Sequence, residues 1–197
     1  MQVWRAVHIE SGDVVALKVV FWGNPDLKDH HKRILRKEVE VLGELHHDHI
    51  VTMSEEMEDE NQLVMALEYL KGGGLLEHLF EVEHYTEAQA AFLFTQMVKA
   101  VQYMHSKGIM HRDIKPENIV FSEPVTGLKA KNAKPNIKVV DFGLARHYSS
   151  ARSVKARLGS PGFMSPEVSF LCSLEAWPRS NETGALLGEM DSECGLS

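Results

Sequence analysis

Apolar and polar positions alternate along Val14 to Val20, VVALKVV, so that Val14, Ala16, Lys18 and Val20 share one face and Val15, Leu17 and Val19 the other. This is a strand, and it places Lys18 among small apolar neighbours. For an isolated lysine two readings stand side by side: a charge guarding a sheet edge, or a cation held inward for use. The turn Ser11-Gly12-Asp13 predicts a hairpin between this strand and an earlier one over Val3 to Ile9. Asn24-Pro25-Asp26 then supplies a cap, a first-turn proline and an acid, predicting a helix from about Pro25 to Leu45. Its apolar stripe takes in Leu27, Ile34, Leu35, Leu42 and Leu45. Glu38 falls on that stripe, four residues from both Ile34 and Leu42, so a carboxylate faces the core and needs a partner.

Two further strands are expected at Ile50 to Met57 and Leu63 to Glu68, around the acidic turn Glu58-Asp59-Glu60-Asn61. The run Lys71-Gly72-Gly73-Gly74 reads as a hinge between this strand-rich part and a helical one. Thr86-Glu87-Ala88-Gln89 is a capping box that opens a helix to about Lys107, closed by Gly108. Phe92, Phe94, Met97, Val98, Val101 and Met104 occupy more than one of its faces, which predicts a buried helix. Short strands follow at Ile119 to Phe121 and Ile137 to Val140, separated by a polar insertion carrying Lys129, Lys131 and Lys134.

Composition narrows the class. The chain has 197 residues, 44% of them hydrophobic, enough for one sizeable core. A net charge of −7 argues against a nucleic-acid binder built on a basic face, and no apolar run is long enough to span a bilayer. With no basic or apolar leader, a cytosolic or nuclear chain is expected, with Cys172 and Cys194 as free thiols and Asn181-Glu182-Thr183 a chance sequon. His46, His47 and His49 sit too close together on a short turn, without a fourth donor, to make a good metal site.

The chemistry concentrates in HRDIKPEN, His111 to Asn118. Pro116 lacks an N–H and biases Lys115 away from helix, so the segment is a loop. Asp113, Lys115 and Asn118 suit phosphoryl transfer: a carboxylate for a hydroxyl proton, a cation for phosphate, an amide oxygen for a divalent ion. In Asp141-Phe142-Gly143 a hard carboxylate oxygen for Mg²⁺ precedes a glycine that lets the chain turn. Each piece alone is a weak signal.

In order along the chain, VALK, the inward glutamate, HRDIKPEN, DFG and Ser165-Pro166-Glu167 resemble the eukaryotic protein kinases over about residues 1–168. The resemblance implies an α+β, two-lobed kinase-like fold, here incomplete. A small antiparallel-sheet lobe with one helix spans 1–70, a partial, mostly helical lobe with catalytic and activation loops spans 71–168, and a divergent, poorly ordered tail spans 169–197. It also implies ATP and Mg²⁺ as cofactors and a protein serine or threonine as substrate, since a lysine two after the catalytic aspartate is the serine/threonine pattern.

Residue by residue, Lys18 resembles the lysine on the α- and β-phosphates and Glu38 its helix partner. Val3 and Ala16 match the roof of the adenine pocket and Val120 its floor; Leu67 takes the gatekeeper position, with the backbone of Glu68 and Leu70 facing adenine. Asp113 resembles the catalytic base, Lys115 the lysine on the transferred phosphate, and Asn118 and Asp141 the Mg²⁺ ligands. Leu42, Met53, His111 and Phe142 match an apolar stack between lobes, which makes His111 structural. Arg112 beside the catalytic aspartate implies activation by an upstream kinase acting on the loop from Asp141 to Glu167, with Ser149, Ser150 and Ser153 as candidates, while Ser160 matches a hydroxyl that contacts the catalytic loop. GSPGFMSPE is nearest to the calcium/calmodulin-dependent group.

The chain also departs from the family. At the usual offset from Val3 the glycine-rich phosphate loop would end at about Met1, Gly74 replaces an acid that binds ribose, with Glu77 nearby, and the sequence after Glu167 matches no family helix. These departures imply an alternative: a catalytically silent kinase-like fragment that binds nucleotide or a partner.

Overall fold

The computed structural model describes residues 2–25, 27–125, 135–148 and 159–166. Four antiparallel strands form the first layer: β1 (Gln2–Val7), β2 (Val14–Phe21), β3 (Met53–Glu58) and β4 (Gln62–Glu68), in the order β1-β2-β4-β3. The expected first hairpin is present but shorter. His8 N–H donates to Asp13 O and Gly12 N–H to His8 O, with Gly12 at φ +75°, so the turn closes before Ile9, which is 98% exposed. β2 is an inner strand, with Lys18 between Val3 on β1 and Met65 on β4. An edge-guarding role for Lys18 is thereby excluded.

Helix α1 spans Asp29–Gly43 and is shorter than the expected Pro25 to Leu45. A turn at Asn24, closed by Leu27 N–H to Asn24 O, and an extended Lys28 delay its start. Its buried residues are Glu38, Val39, Val41 and Leu42, with Leu45 buried just beyond its end; of the expected stripe, Ile34 and Leu35 are only half-buried and Leu27 precedes the helix. Arg36 forks onto Glu58, tying the exposed side of α1 to β3.

Ile50 and Val51 do not extend β3 as the sequence pattern predicts. They turn toward β7 (Ile137–Val139): Val51 N–H donates to Val139 O and Val139 N–H to His49 O. Two buried apolar residues are satisfied there as well as in the sheet, and β3 begins only at Met53. Of the three histidines before it, His47 stacks on Tyr103 with ring centroids 5.0 Å apart, and the ring of His49 meets Ile137 O. These contacts are structural.

The glycine run is more than a hinge. Lys71 N–H, Gly72 N–H and Phe121 N–H make a ladder with Ser122 O, Phe121 O and Gly73 O, pinning the linker onto β6 (Ile119–Phe121). A Cβ on Gly72 would lie 2.3 Å from Glu123 O and 2.4 Å from Phe121 Cβ, so only glycine fits. Helix α2 (Leu75–Val82), which the glycines hid from sequence reading, starts directly after them, and the Glu77 carboxylate accepts from Gly74 N–H to cap it.

Helix α3 spans Glu87–Ser106, and its capping box forms as expected, with Gln89 N–H donating to Thr86 Oγ1 and Thr86 N–H to Gln89 Oε1. Leu93, Gln96, Ala100 and Met104 make one buried stripe. Phe94 and Val98 are 64% and 47% exposed, so the expected burial on several faces does not hold among the described residues. Buried Gln96 donates to Pro135 O and accepts from Ile137 N–H, fixing the start of β7 against α3. β6 and β7 pair, as do β5 (Ile109–Met110) and β8 (Arg146–His147). The main core, with Leu42, Ile50, Met104, Ile119, Phe121, Val139 and Phe142, runs from α1 through the β6–β7 hairpin to α3. No helix of the described residues is long and apolar enough to cross a membrane.

Candidate active site

Alternation on β2 aims Lys18 at the stripe of α1, and there its Nζ meets Glu38 Oε1 at 2.5 Å. Both side chains are buried, 10% and 3% exposed, so each is the counter-charge the other needs in a region poor in water. The second oxygen of Glu38 lies 3.9 Å from where a Gly143 Cβ would stand. The Asp141-Phe142-Gly143 turn therefore abuts the ion pair.

Asp113, Lys115 and Asn118 come together as expected, and Ser160 joins them. Asp113 Oδ1 accepts from Ser160 N–H (3.0 Å) and Oγ–H (2.8 Å); Oδ2 accepts from Lys115 Nζ and from Asn118 Nδ2, each at 3.1 Å. Lys115 Nζ also donates to Ser160 Oγ at 2.6 Å. Burial alone would raise the Asp113 pKa, but the Ser160 hydroxyl, Lys115 and the Ser160 amide outweigh it and hold the carboxyl below the usual carboxylate range. Asp113 is ionised at neutral pH. Pro116–Asn118 form one 3₁₀ turn, which carries Asn118 back under Asp113, where Nδ2 also donates to Asp113 O (2.8 Å).

Asp141 reaches the same region through the backbone. Val140 N–H donates to Asn118 O (2.9 Å), and His111 Nε2 meets Val140 O (3.1 Å). His111 Nδ1 accepts from Asp113 N–H (3.3 Å), so one neutral tautomer, with its proton on Nε2, serves both loops. Arg112 and Asp141 hold left-handed backbone, φ 68° and 59°, where the two loops turn most sharply. Phe142 is fully buried, its ring 4.8 Å from that of His111, in the core that holds Leu42 with Met53 packed against it. Of the four residues expected to stack, His111 and Phe142 meet ring to ring, and Leu42 and Met53 belong to the core that Phe142 enters.

Burial lowers the His111 pKa, and the opposing pull of Val140 O, Asp141 and Asp113 does not restore it. The unfolded chain then binds the proton more readily. The stability contributed by neutral His111 is complete above the unfolded value of about 6.5 and is lost as pH falls below it. In urea denaturation, the stability gap between wild type and His111→Gln is expected to narrow from pH 7.5 to pH 5.5. A constant gap would contradict this.

The residues expected to face adenine are placed on the first sheet, at the hinge and on β6. Ala16 pairs with Leu67 and Val15 with Glu68; Val3, 63% exposed, lies opposite Lys18, and Val120 on β6 lies opposite Lys138 on β7. Leu70 N–H and C=O make no hydrogen bond among the described residues, so both are available to a planar ligand. For Mg²⁺ the donor chemistry fits: among the described residues, Asn118 spends its amide nitrogen on Asp113 and its oxygen receives no donor, while exposed Asp141 accepts only a 3.3 Å bond from Gly143 N–H. Glu77 is occupied in capping α2. Ser149, Ser150, Ser153, Glu167, the lysines at 129, 131 and 134, and the tail lie outside the described residues.

Sequence reading missed Lys138. Its Nζ meets Glu68 Oε1 at 2.7 Å and donates to Ile50 O at 3.2 Å. The available signal was the one that exposed Lys18, a lysine inside an apolar run, here Ile137-Lys138-Val139-Val140.

Comparison with known proteins agrees with this geometry. The chain is 33% identical over 168 residues to human NUAK family SNF1-like kinase 1, covering 85% of the chain and 24% of that protein. It is 35% identical over 167 residues to human serine/threonine-protein kinase ULK1, covering 84% and 16%, and 33% identical over 164 residues to the Arabidopsis thaliana SNF1-related protein kinase catalytic subunit alpha KIN12, covering 83% and 31%. The chain thus spans less than a third of the length of these relatives. The protein kinase domain family matches residues 1–176, which include the Lys18–Glu38 pair, the Asp113 loop and the Asp141 turn described above. With motif order, side-chain geometry and sequence match in agreement, the chain belongs to the protein kinase family.

Proposed function

We propose that this chain carries the catalytic machinery of a serine/threonine protein kinase, which transfers the γ-phosphoryl group of ATP to a protein hydroxyl. The observation that carries the reading is the Asp113–Lys115–Ser160–Asn118 cluster, joined through Val140 to the Asp141 turn that abuts Lys18–Glu38. Ionised Asp113 accepts a hydrogen bond from the incoming serine or threonine hydroxyl and orients it, taking its proton as the hydroxyl oxygen bonds the γ-phosphorus and the bond from that phosphorus to the bridging oxygen breaks, releasing ADP. Lys115 moves from Ser160 and Asp113 toward the transferred phosphoryl group and offsets its charge. Lys18, steered by Glu38, holds the phosphates further back, and Glu68 and Leu70 present backbone groups to adenine. Asn118 and Asp141 would hold Mg²⁺, whose chemistry is to neutralise charge on the phosphate oxygens.

Supporting the serine/threonine assignment are Lys115, two residues after Asp113, and the names of the relatives. The test is incubation with γ-labelled ATP, Mg²⁺ and a protein rich in hydroxyl residues, followed by phosphoamino-acid analysis. Label on serine or threonine is expected. Label confined to tyrosine, or none, would refute the proposal.

A further inference from the structure

Glu68 and Val120 are the two sides of the proposed adenine slot, one on the hinge from the sheet lobe and one on the hairpin of the helical lobe. Lys138 connects the two sides. It is the cross-strand partner of Val120, and its ammonium reaches across the lobes to Glu68 Oε1 at 2.7 Å. The pair is sheltered, with side chains 12% and 31% exposed, so water screens it less than a surface bridge. The same ammonium donates to Ile50 O, and Glu68 is locked to Thr52 twice, by Glu68 N–H to Thr52 O (2.9 Å) and Thr52 N–H to Glu68 Oε1 (2.7 Å). Residues 49–51 in turn pair with Val139, two residues before Asp141.

We propose that Lys138 is a positioning residue for the nucleotide: an interlobe brace that fixes the distance between the adenine-facing hinge at Glu68 and the floor at Val120. This rests on the kinase reading above. Lys138 touches neither phosphate nor Mg²⁺ in that reading. It acts by holding Glu68, and with it the backbone of the hinge, against β7. Without the ammonium, the Glu68 carboxylate keeps only the Thr52 amide among the described residues, and the hinge gains freedom that nucleotide binding must then remove.

Steady-state transfer kinetics of wild type, Lys138→Met and Lys138→Arg, with amide exchange on the same proteins, separate the brace from a merely structural lysine. Lys138→Met is expected to raise the KM for ATP by about 2- to 30-fold, with a smaller change in kcat, as is usual for a residue that couples to a site without entering it. The amides of Val51, Glu68 and Val139 are expected to exchange faster in this variant, while those of α3 do not. Lys138→Arg retains a cation that can reach the carboxylate and is expected to keep a KM close to wild type. An unchanged KM in Lys138→Met, an equally raised KM in Lys138→Arg, or faster exchange shared equally by α3 would overturn the brace and leave the kinase reading standing. A wild-type chain without ATP-dependent transfer would overturn the reading and this proposal with it.

Discussion

Lys18→Met is expected to lower the unfolding free energy by about 3–5 kcal/mol, the usual cost of stranding one member of a buried ion pair. Glu38 is only 2% exposed, and its one ion-pair partner among the described residues is Lys18 Nζ. Without it, the carboxylate must take up a proton, draw in water or leave the core. Since a domain of this size is typically stable by about 5–15 kcal/mol, the loss is a large fraction of the total. Pairing it with Glu38→Met separates stability from function. Two linear apolar side chains can fill the space between β2 and α1, and replacing a buried pair by apolar residues is often neutral or stabilising. Lys18→Met/Glu38→Met is therefore expected to melt near wild type while having lost the cation proposed to hold phosphate. Thermal melts of the three proteins check the first half of this statement; a single variant as stable as wild type would contradict it.

Asp113→Asn is expected to reduce phosphate transfer by roughly 10²- to 10⁴-fold, the range lost when a positioned general base is removed. Its effect is not limited to the base. Asp113 accepts four side-chain or backbone donors through two oxygens, and an amide has only one oxygen to offer them. If the new NH₂ group replaces Oδ1 it confronts Ser160 N–H; if it replaces Oδ2 it confronts Lys115 and Asn118. Either orientation sets donor against donor and misplaces Lys115 as well. Single-turnover transfer measured beside a melting curve distinguishes lost chemistry from lost fold. Activity within tenfold of wild type, in a protein that melts normally, would contradict the assigned role.

How far the site could be read beforehand depended on the kind of signal each residue gives. Glu38 was legible because a carboxylate on an apolar stripe has a defined direction, and Lys18 because strand alternation gives it one too. Their meeting across 20 residues follows from both pointing into the same core. The Asp113 loop and the Asp141 turn were legible as motifs, and a shared core of Phe142, Leu42 and Ile119 brings them together. Lys138 was not, since a three-residue strand has no long pattern from which to infer direction, and its partner Glu68 is 70 positions away on another sheet. Ile50 and Val51 look like strand and are instead shared between two lobes, a tertiary choice that alternation does not encode. Helix α2 was hidden by the glycines before it. In α3 the apolar residues outnumber the positions its neighbours cover, so periodicity alone misassigned Phe94 and Val98.

ATP titration by calorimetry, with and without Mg²⁺, on wild type and on the well-folded Lys18→Met/Glu38→Met chain asks directly whether these scattered residues serve one nucleotide. The expected result is tighter binding to wild type when Mg²⁺ is present and much weaker binding to the double variant under both conditions. Equal affinity in the two proteins, with the same response to Mg²⁺, would contradict it.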